Sequence, residues 1–156
     1  MDREYQNYLH SVSIFADLND EEIAKIAEIC EEREALRDDV LFVEHTEGDE
    51  LFIILEGEVT IQLELTSEED AMPLITLQKG DVFGELSVVD DAPRSATARC
   101  LTDCHLLVLK RDDFDRVMES DHTLGYKVMN QVARLVSRRV RATNQKIVDN
   151  VSWGML

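Results

Sequence analysis

The stretch Glu58-Val59-Thr60-Ile61-Gln62-Leu63-Glu64-Leu65 alternates polar and apolar side chains without a break. A two-residue period cannot line one face of a helix. It fits a strand with one buried and one wet face. Leu51-Phe52-Ile53-Ile54-Leu55 before it reads as a buried strand, and Glu56-Gly57 as the turn between the two. Further short strands are expected near Val40–Val43, Leu74–Leu77, Thr97–Leu101 and Cys104–Leu109, with turns at Gly48-Asp49 and Lys79-Gly80-Asp81 and a polar loop from Ser67 to Asp70. Many short strands with regular turns indicate a jelly-roll or barrel. There is no internal repeat and no low-complexity segment.

Both flanks have a helical period. Tyr5, Tyr8, Leu9 and Val12 follow one helix face, and so do Ile23, Ile26, Ala27 and Cys30. Asn19 followed by Glu22 has the spacing of an N-cap and its reciprocal partner. After the strands, Asp112-Asp113 opens a short helix carrying Phe114, Val117 and Met118, and Asp121 can cap a long one. From His122 to about Asn150 that helix would run roughly 40 Å at 1.5 Å per residue. Met129, Ala133, Val136, Val140, Thr143, Ile147 and Asn150 form a stripe along it at spacings of four and three. Such a stripe suits either a seam between two chains or packing on the chain's own strands.

The chain has 156 residues, 44% of them hydrophobic and 31% charged, the composition of one globular domain. Its formal net charge of −17 repels nucleic acid and anionic membranes, so neither is expected as a partner. The longest apolar runs are far too short to span a bilayer, and no signal peptide is evident. Cys30, Cys100 and Cys104 include no CxxC pair and read as reduced thiols of a cytoplasmic protein. His10, His45, His105 and His122 are scattered, with no pair placed to hold a metal.

Chemistry concentrates between Phe83 and Thr97. Gly84 can take a positive φ and lets backbone approach a ligand. Unpaired N–H groups at a helix start attract an anion. Arg94, nine residues beyond Glu85, offers a planar fork that matches two phosphate oxygens. Ionised Glu85 only accepts hydrogen bonds, so it suits a sugar hydroxyl and repels a phosphate. Together they suit a ligand with a hydroxyl beside a phosphodiester. A lone Glu–Arg pair would be an ordinary surface ion pair, but here the run is longer.

Phe83-Gly84-Glu85-Leu86-Ser87, then Pro93-Arg94-Ser95-Ala96-Thr97, resembles the phosphate-binding cassette of the cyclic nucleotide-binding domains. These occur in the catabolite activator protein, the regulatory subunits of cyclic AMP-dependent kinase and cyclic nucleotide-gated channels. Ile14-Phe15-Ala16-Asp17-Leu18 resembles the entry to the family's β-roll. The resemblance implies an α+β fold: an eight-stranded antiparallel β-roll (jelly-roll) flanked by N-terminal helices and a long C-terminal helix. The whole chain, 1–156, is then one domain. Its N-terminal helices occupy 1–34, the β-roll 35–110 with the cassette at 83–97, and the hinge and long helix 111–150. The family usually has Gly near Asp38 and His45, so these two turns are expected to be made differently here.

The resemblance also assigns roles. Glu85 takes the ribose hydroxyl, while Arg94 and backbone N–H groups around Gly84–Ser87 and Ala96 take the phosphate. Ile61 and Leu74 line the wall behind ribose and base, with Val82 and Phe83 nearby. These four fit a plain strand core equally well. Ser95 can bond the phosphate or reach a purine edge. Arg138 or Arg139 caps the base from the long helix, with Thr143 behind.

The implied function is a non-catalytic receptor for a 3',5'-cyclic nucleotide, cyclic AMP favoured over cyclic GMP. It would use no cofactor, signal by movement of the C-terminal helices, and form a homodimer through the long helix or act on a protein partner. One alternative is a sensor fragment of a larger regulated protein, such as a transcription regulator. Another is a cupin-like metal enzyme, which the scattered histidines disfavour.

Overall fold

A computed structural model describes residues 3–65 and 71–154. The expected polar loop from Ser67 to Asp70 lies outside the described residues.

Helix α1 (Arg3–His10), a 3₁₀ turn (Ser13–Phe15) and α2 (Asp20–Glu28) lead into eight strands. These are β1 (Cys30–Ala35), β2 (Val40–Phe42), β3 (Glu50–Glu56), β4 (Val59–Leu63), β5 (Met72–Leu77), β6 (Val82–Phe83), β7 (Thr97–Cys100) and β8 (Cys104–Lys110). The short α3 (Leu86–Val89) interrupts them, and α4 (Arg111–Ser120) and α5 (His122–Gly154) follow. Among the described residues the strands form two four-stranded antiparallel sheets, ordered β1-β8-β3-β6 and β2-β7-β4-β5. This is the β-roll that the strand pattern and the resemblance imply.

The first sheet is buried on both faces. Leu51, Ile53, Leu107 and Leu109 point toward the helices and share a core with Phe15, Ile23, Ile26, Phe114, Leu124, Val128 and Val132. Phe52, Ile54, Leu106 and Val108 point into the roll with Phe83, Ala98 and Val59. That is why β3 and β8 are apolar at nearly every position instead of alternating. Helix α2 starts where the cap spacing places it. The Asn19 side chain accepts from the Glu22 N–H and the Glu22 carboxylate accepts from the Asn19 N–H, both at 2.9 Å.

Four expectations are corrected. Cys30 belongs to a strand, not to α2, so the roll begins before residue 35. The segment Cys-Glu-Glu-Arg-Glu-Ala has helix-forming residues, but pairing with β8 from Cys30↔Leu109 to Ala35↔Cys104 overrides that local preference. Its glutamates stay exposed on an edge strand, where charge discourages pairing with other chains. In β4, Thr60 and Gln62 are buried, whereas Ile61 and Leu63 are only half-buried. The alternation therefore does not mark a wet face, and Ile61 on the apolar face borders an open cleft. Asp38 (φ 72°) and His45 (φ 69°) adopt the left-handed conformation themselves, so those turns keep the shape a glycine would give them. Finally, the stripe on α5 divides. Met129 and Val136 pack on the chain's own core, Ala133 is exposed, and Val140 and Ile147 are each 52% exposed. The helix's buried face is Leu124, Val128, Val132 and Leu135.

Candidate functional site

The site forms where β6 turns into α3. Gly84 sits at φ 79°, and a Cβ there would lie 2.8 Å from the Glu50 carbonyl oxygen and 3.0 Å from Arg94 Nη1. Only glycine fits that crossing without displacing the arginine. Glu85 and Arg94 follow on either side of α3, and both are buried.

Arg94 is held from every side. Its backbone N–H donates to the Thr46 carbonyl and its carbonyl accepts from the His45 N–H, both at 2.8 Å. Nη2 donates to the Glu50 carbonyl at 3.0 Å. The guanidinium lies 4.1 Å from the centroid of the Phe42 ring. Gly48 leaves room for it, since a Cβ there would come within 2.0 Å of Arg94 Nε. Burial lowers the pKa of this guanidinium from its ordinary value, and Glu50, Asp49 and Glu85 oppose that shift. A buried arginine with its fork fixed is a preorganised anion receptor. Beneath it the rings of Phe52 and Phe83 stack 4.8 Å apart, with Phe42 tilted against both.

Glu85 meets the long helix. Arg139 Nη1 pairs with Glu85 Oε2 at 2.8 Å, and Arg139 Nη2 donates to the Val82 carbonyl. Lys146 Nζ donates to the carbonyls of Leu74 at 2.7 Å and Pro73 at 3.2 Å. Two cationic side chains thus pin the helix across the open end of the roll.

Two clefts adjoin there. The inner one is lined by Phe42, Ile61, Phe83, Gly84, Glu85 and Arg94, among others. The outer one, about 510 Å3, lies between β4–β5 and the helix, with Leu74, Ile75, Val136, Arg139, Thr143 and Asp149 in its walls. Glu85, Leu86, Ser95, Ala96, Ile61 and Arg139 line both.

The structure therefore brings Ile61, Leu74, Phe83, Gly84, Glu85, Leu86, Arg94, Ser95, Ala96, Arg139 and Thr143 to one place. It keeps two expected residues away. The Val82 side chain belongs to the helix-facing core, because neighbours in a strand point to opposite faces; only its carbonyl reaches the site. Arg138 is exposed beside Arg134 and Arg141 on another face of α5. The Ser87 side chain lies outside the described residues. The sequence reading missed Phe42, Gly48, Glu50 and Ile75. Gly48 had a legible sign, a glycine in a turn ahead of a buried strand. The others read as ordinary strand residues.

Among the described residues no cluster of three or more His, Cys, Asp or Glu side chains could hold a metal, and no helix is long and apolar enough to cross a membrane. The three thiols are free and buried, and burial pushes those of Cys30 and Cys100 up to about 12.

Comparison with known proteins agrees with this geometry. The cGMP-dependent protein kinase 2 of Mus musculus is 30% identical over 135 residues, which cover 86% of this chain and 18% of the kinase. The chain thus spans under a fifth of the length of that relative. A cyclic nucleotide-binding domain from Methylobacillus flagellatus superposes with a TM-score of 0.83 at 26% identity, covering 94% of this chain and 84% of that one. The cAMP-bound PfPKA-R superposes with a TM-score of 0.76 at 25% identity, covering 92% and 46%. The family model of the cyclic nucleotide-binding domain matches residues 32–121, which contain both sheets from β2 onward, the cassette and α4, and the chain belongs to that family.

Proposed function

We infer that this chain is a non-catalytic receptor for a 3',5'-cyclic nucleotide, with cyclic AMP favoured over cyclic GMP. The observation that carries the reading is the burial of Glu85 and Arg94 on one cleft, the arginine fixed by His45, Thr46, Glu50 and Phe42. Arg94 holds the cyclic phosphate, with backbone N–H groups around Gly84–Ser87 and Ala96. Glu85 accepts the ribose 2'-hydroxyl while Arg139 balances its charge. Ile61, Leu74 and Phe83 form the wall against sugar and base, and Thr143 faces them from the helix.

The signal is movement of the C-terminal helices, carried by the part of α5 beyond Val136, since ligand can bias that equilibrium only by binding one arrangement better. The exposed Val140, Ile147, Val148 and Val151 offer a surface for a second copy or a protein partner. A specific observation favours cyclic GMP as the second reading: exposed Ser95 lines both clefts, where its hydroxyl can reach a guanine edge.

Titration calorimetry and thermal melts with both nucleotides test the receptor. At about 100 times its dissociation constant, a ligand that binds only the folded state adds about 2.7 kcal/mol of stability. Arg94→Ala is expected to cost about 2–5 kcal/mol of binding by leaving a buried charge without its partner. Arg94→Lys weakens binding too, by losing the fork. Absence of heat and of any melting shift with either nucleotide, in protein shown to carry none from purification, defeats the reading.

A further inference from the structure

Glu50 serves two arginines at once. Its backbone carbonyl accepts from Arg94 Nη2 at 3.0 Å. Its carboxylate takes the fork of Arg33 in two bonds, Nη1 to Oε1 at 3.1 Å and Nη2 to Oε2 at 2.7 Å. Arg33 comes from β1 and reaches over β8 to do so, with its guanidinium 5.9 Å from the Phe52 ring centroid. The Glu50 and Arg33 side chains are 22% and 39% exposed, so water screens the pair only partly. Three cations surround this carboxylate: Arg33, which bonds it, and Arg94 and Lys110, which act on it through space. In turn, of the charges acting on Arg94, that of Glu50 is felt most strongly, ahead of Asp49 and Glu85.

We propose that Arg33 is a positioning residue for the phosphate site: by fixing the Glu50 carboxylate in a two-pronged bridge, it keeps that carboxylate off Arg94. The inference rests on the receptor reading above. A carboxylate and a phosphate compete for the same donors, because a guanidinium has five N–H groups in one plane and both anions prefer its fork. Arg94 Nη2 is committed to the Glu50 carbonyl. A Glu50 carboxylate released from Arg33 has Arg94 within its field and a backbone already in hydrogen-bond contact with it. Swinging onto Arg94 would occupy donors that the ligand needs and cancel the charge that attracts it. Arg33 therefore acts on ligand affinity without touching either cleft. The bidentate geometry explains why an arginine is needed here, since lysine would hold the carboxylate at one point and leave it free to rotate.

The test uses the whole chain, wild type against Arg33→Gln and the double variant Arg33→Gln/Glu50→Gln. Cyclic AMP and cyclic GMP are titrated by calorimetry. The Arg94 Nε–H resonance, assigned by its disappearance in Arg94→Lys, is followed by NMR in ligand-free protein. Arg33→Gln is expected to weaken binding about fivefold or more, and the double variant to recover to within about twofold of wild type, the pattern of two coupled neighbours. The Arg94 resonance should move in the single variant and return in the double. Should Arg33→Gln melt below the assay temperature, Arg33→Lys takes its place with the same pattern expected.

Wild-type affinity together with an unmoved resonance in the single variant overturns the proposal. So does a double variant as weak as the single, which makes the bridge a brace for the fold and nothing more. If wild type gives no heat with either nucleotide, the receptor reading fails. The resonance then decides on Arg33 alone: movement and return support it, and constancy overturns it.

Discussion

The two halves of α5 are one continuous helix attached in two different ways. From His122 to Val136 it is part of the core. Leu124, Val128 and Val132 are fully buried in the core that the helix shares with the 3₁₀ turn and α4. Lys127 reaches Glu22 at 2.7 Å, and Gln131 reaches Asp17 at 2.7 Å. Beyond Val136 the apolar contacts stop: Val140, Ile147, Val148 and Val151 are each more than half exposed. What holds this half is polar, Arg139 on Glu85 and Val82, and Lys146 on Pro73 and Leu74. A helix packed by burial moves only if the core opens, whereas one held by a few polar contacts over a cleft can leave at small cost. In the function proposed above, the outer half is the lid and the inner half its mounting.

The largest effect comes from attacking the mounting. Leu124→Ala is expected to cost about 2–5 kcal/mol of stability, because it leaves a cavity at a fully buried position. Val140→Ala, on the exposed half of the same helix, should stay within about 0.5 kcal/mol. Chemical denaturation of both variants measures the difference, and equal losses would break the comparison.

A smaller effect follows from releasing the lid. Arg139→Met removes the partner of a buried carboxylate, a loss of about 1–3 kcal/mol. It should fall mainly on ligand affinity and dissociation rate, with melting changed less than by Leu124→Ala. Stopped-flow dissociation of a fluorescent cyclic nucleotide reads this.

Acid should loosen the mounting. Burial alone would raise the Glu22 carboxyl, but the Asn19 N–H and Lys127 outweigh it and hold its pKa below the ordinary range. Lys25 and the Leu124 N–H do the same for Asp121. A carboxylate whose folded pKa is depressed contributes stability above its unfolded pKa and loses it as pH falls through the folded one. Melting temperature should therefore hold steady down to the ordinary carboxylate range and fall below it. Glu22→Gln should flatten that fall, and an unchanged acid limb would contradict the assignment.

Much of this was legible in the chain, and the misses have physical causes. The apolar runs of β3 and β8 and the cap at Asn19 could be read because each pattern depends on local chemistry alone. The cassette could be read because glycine, carboxylate and arginine sit at fixed spacing on one loop. What escaped depended on distant neighbours. β1 hides its strand character in helix-forming glutamates that only pairing with β8 overrides. Thr60 and Gln62 look wet from the alternation alone, yet both are buried in the folded chain. Glu50 and Gly48 gain meaning only once Arg94 folds back onto them. On α5 the choice between Arg138 and Arg139 turns on one residue of register, about 100° around a helix of 3.6 residues per turn, which the stripe could not fix because it spans both the buried and the exposed half.

Hydrogen–deuterium exchange along α5, with and without saturating cyclic AMP, tests the central claim most directly. The account predicts slow exchange from Leu124 to Leu135 in both states. From Val140 to Val151 it predicts fast exchange in the free protein and clear protection when ligand is bound. Uniform exchange along the whole helix, or an outer half equally protected without ligand, would contradict it.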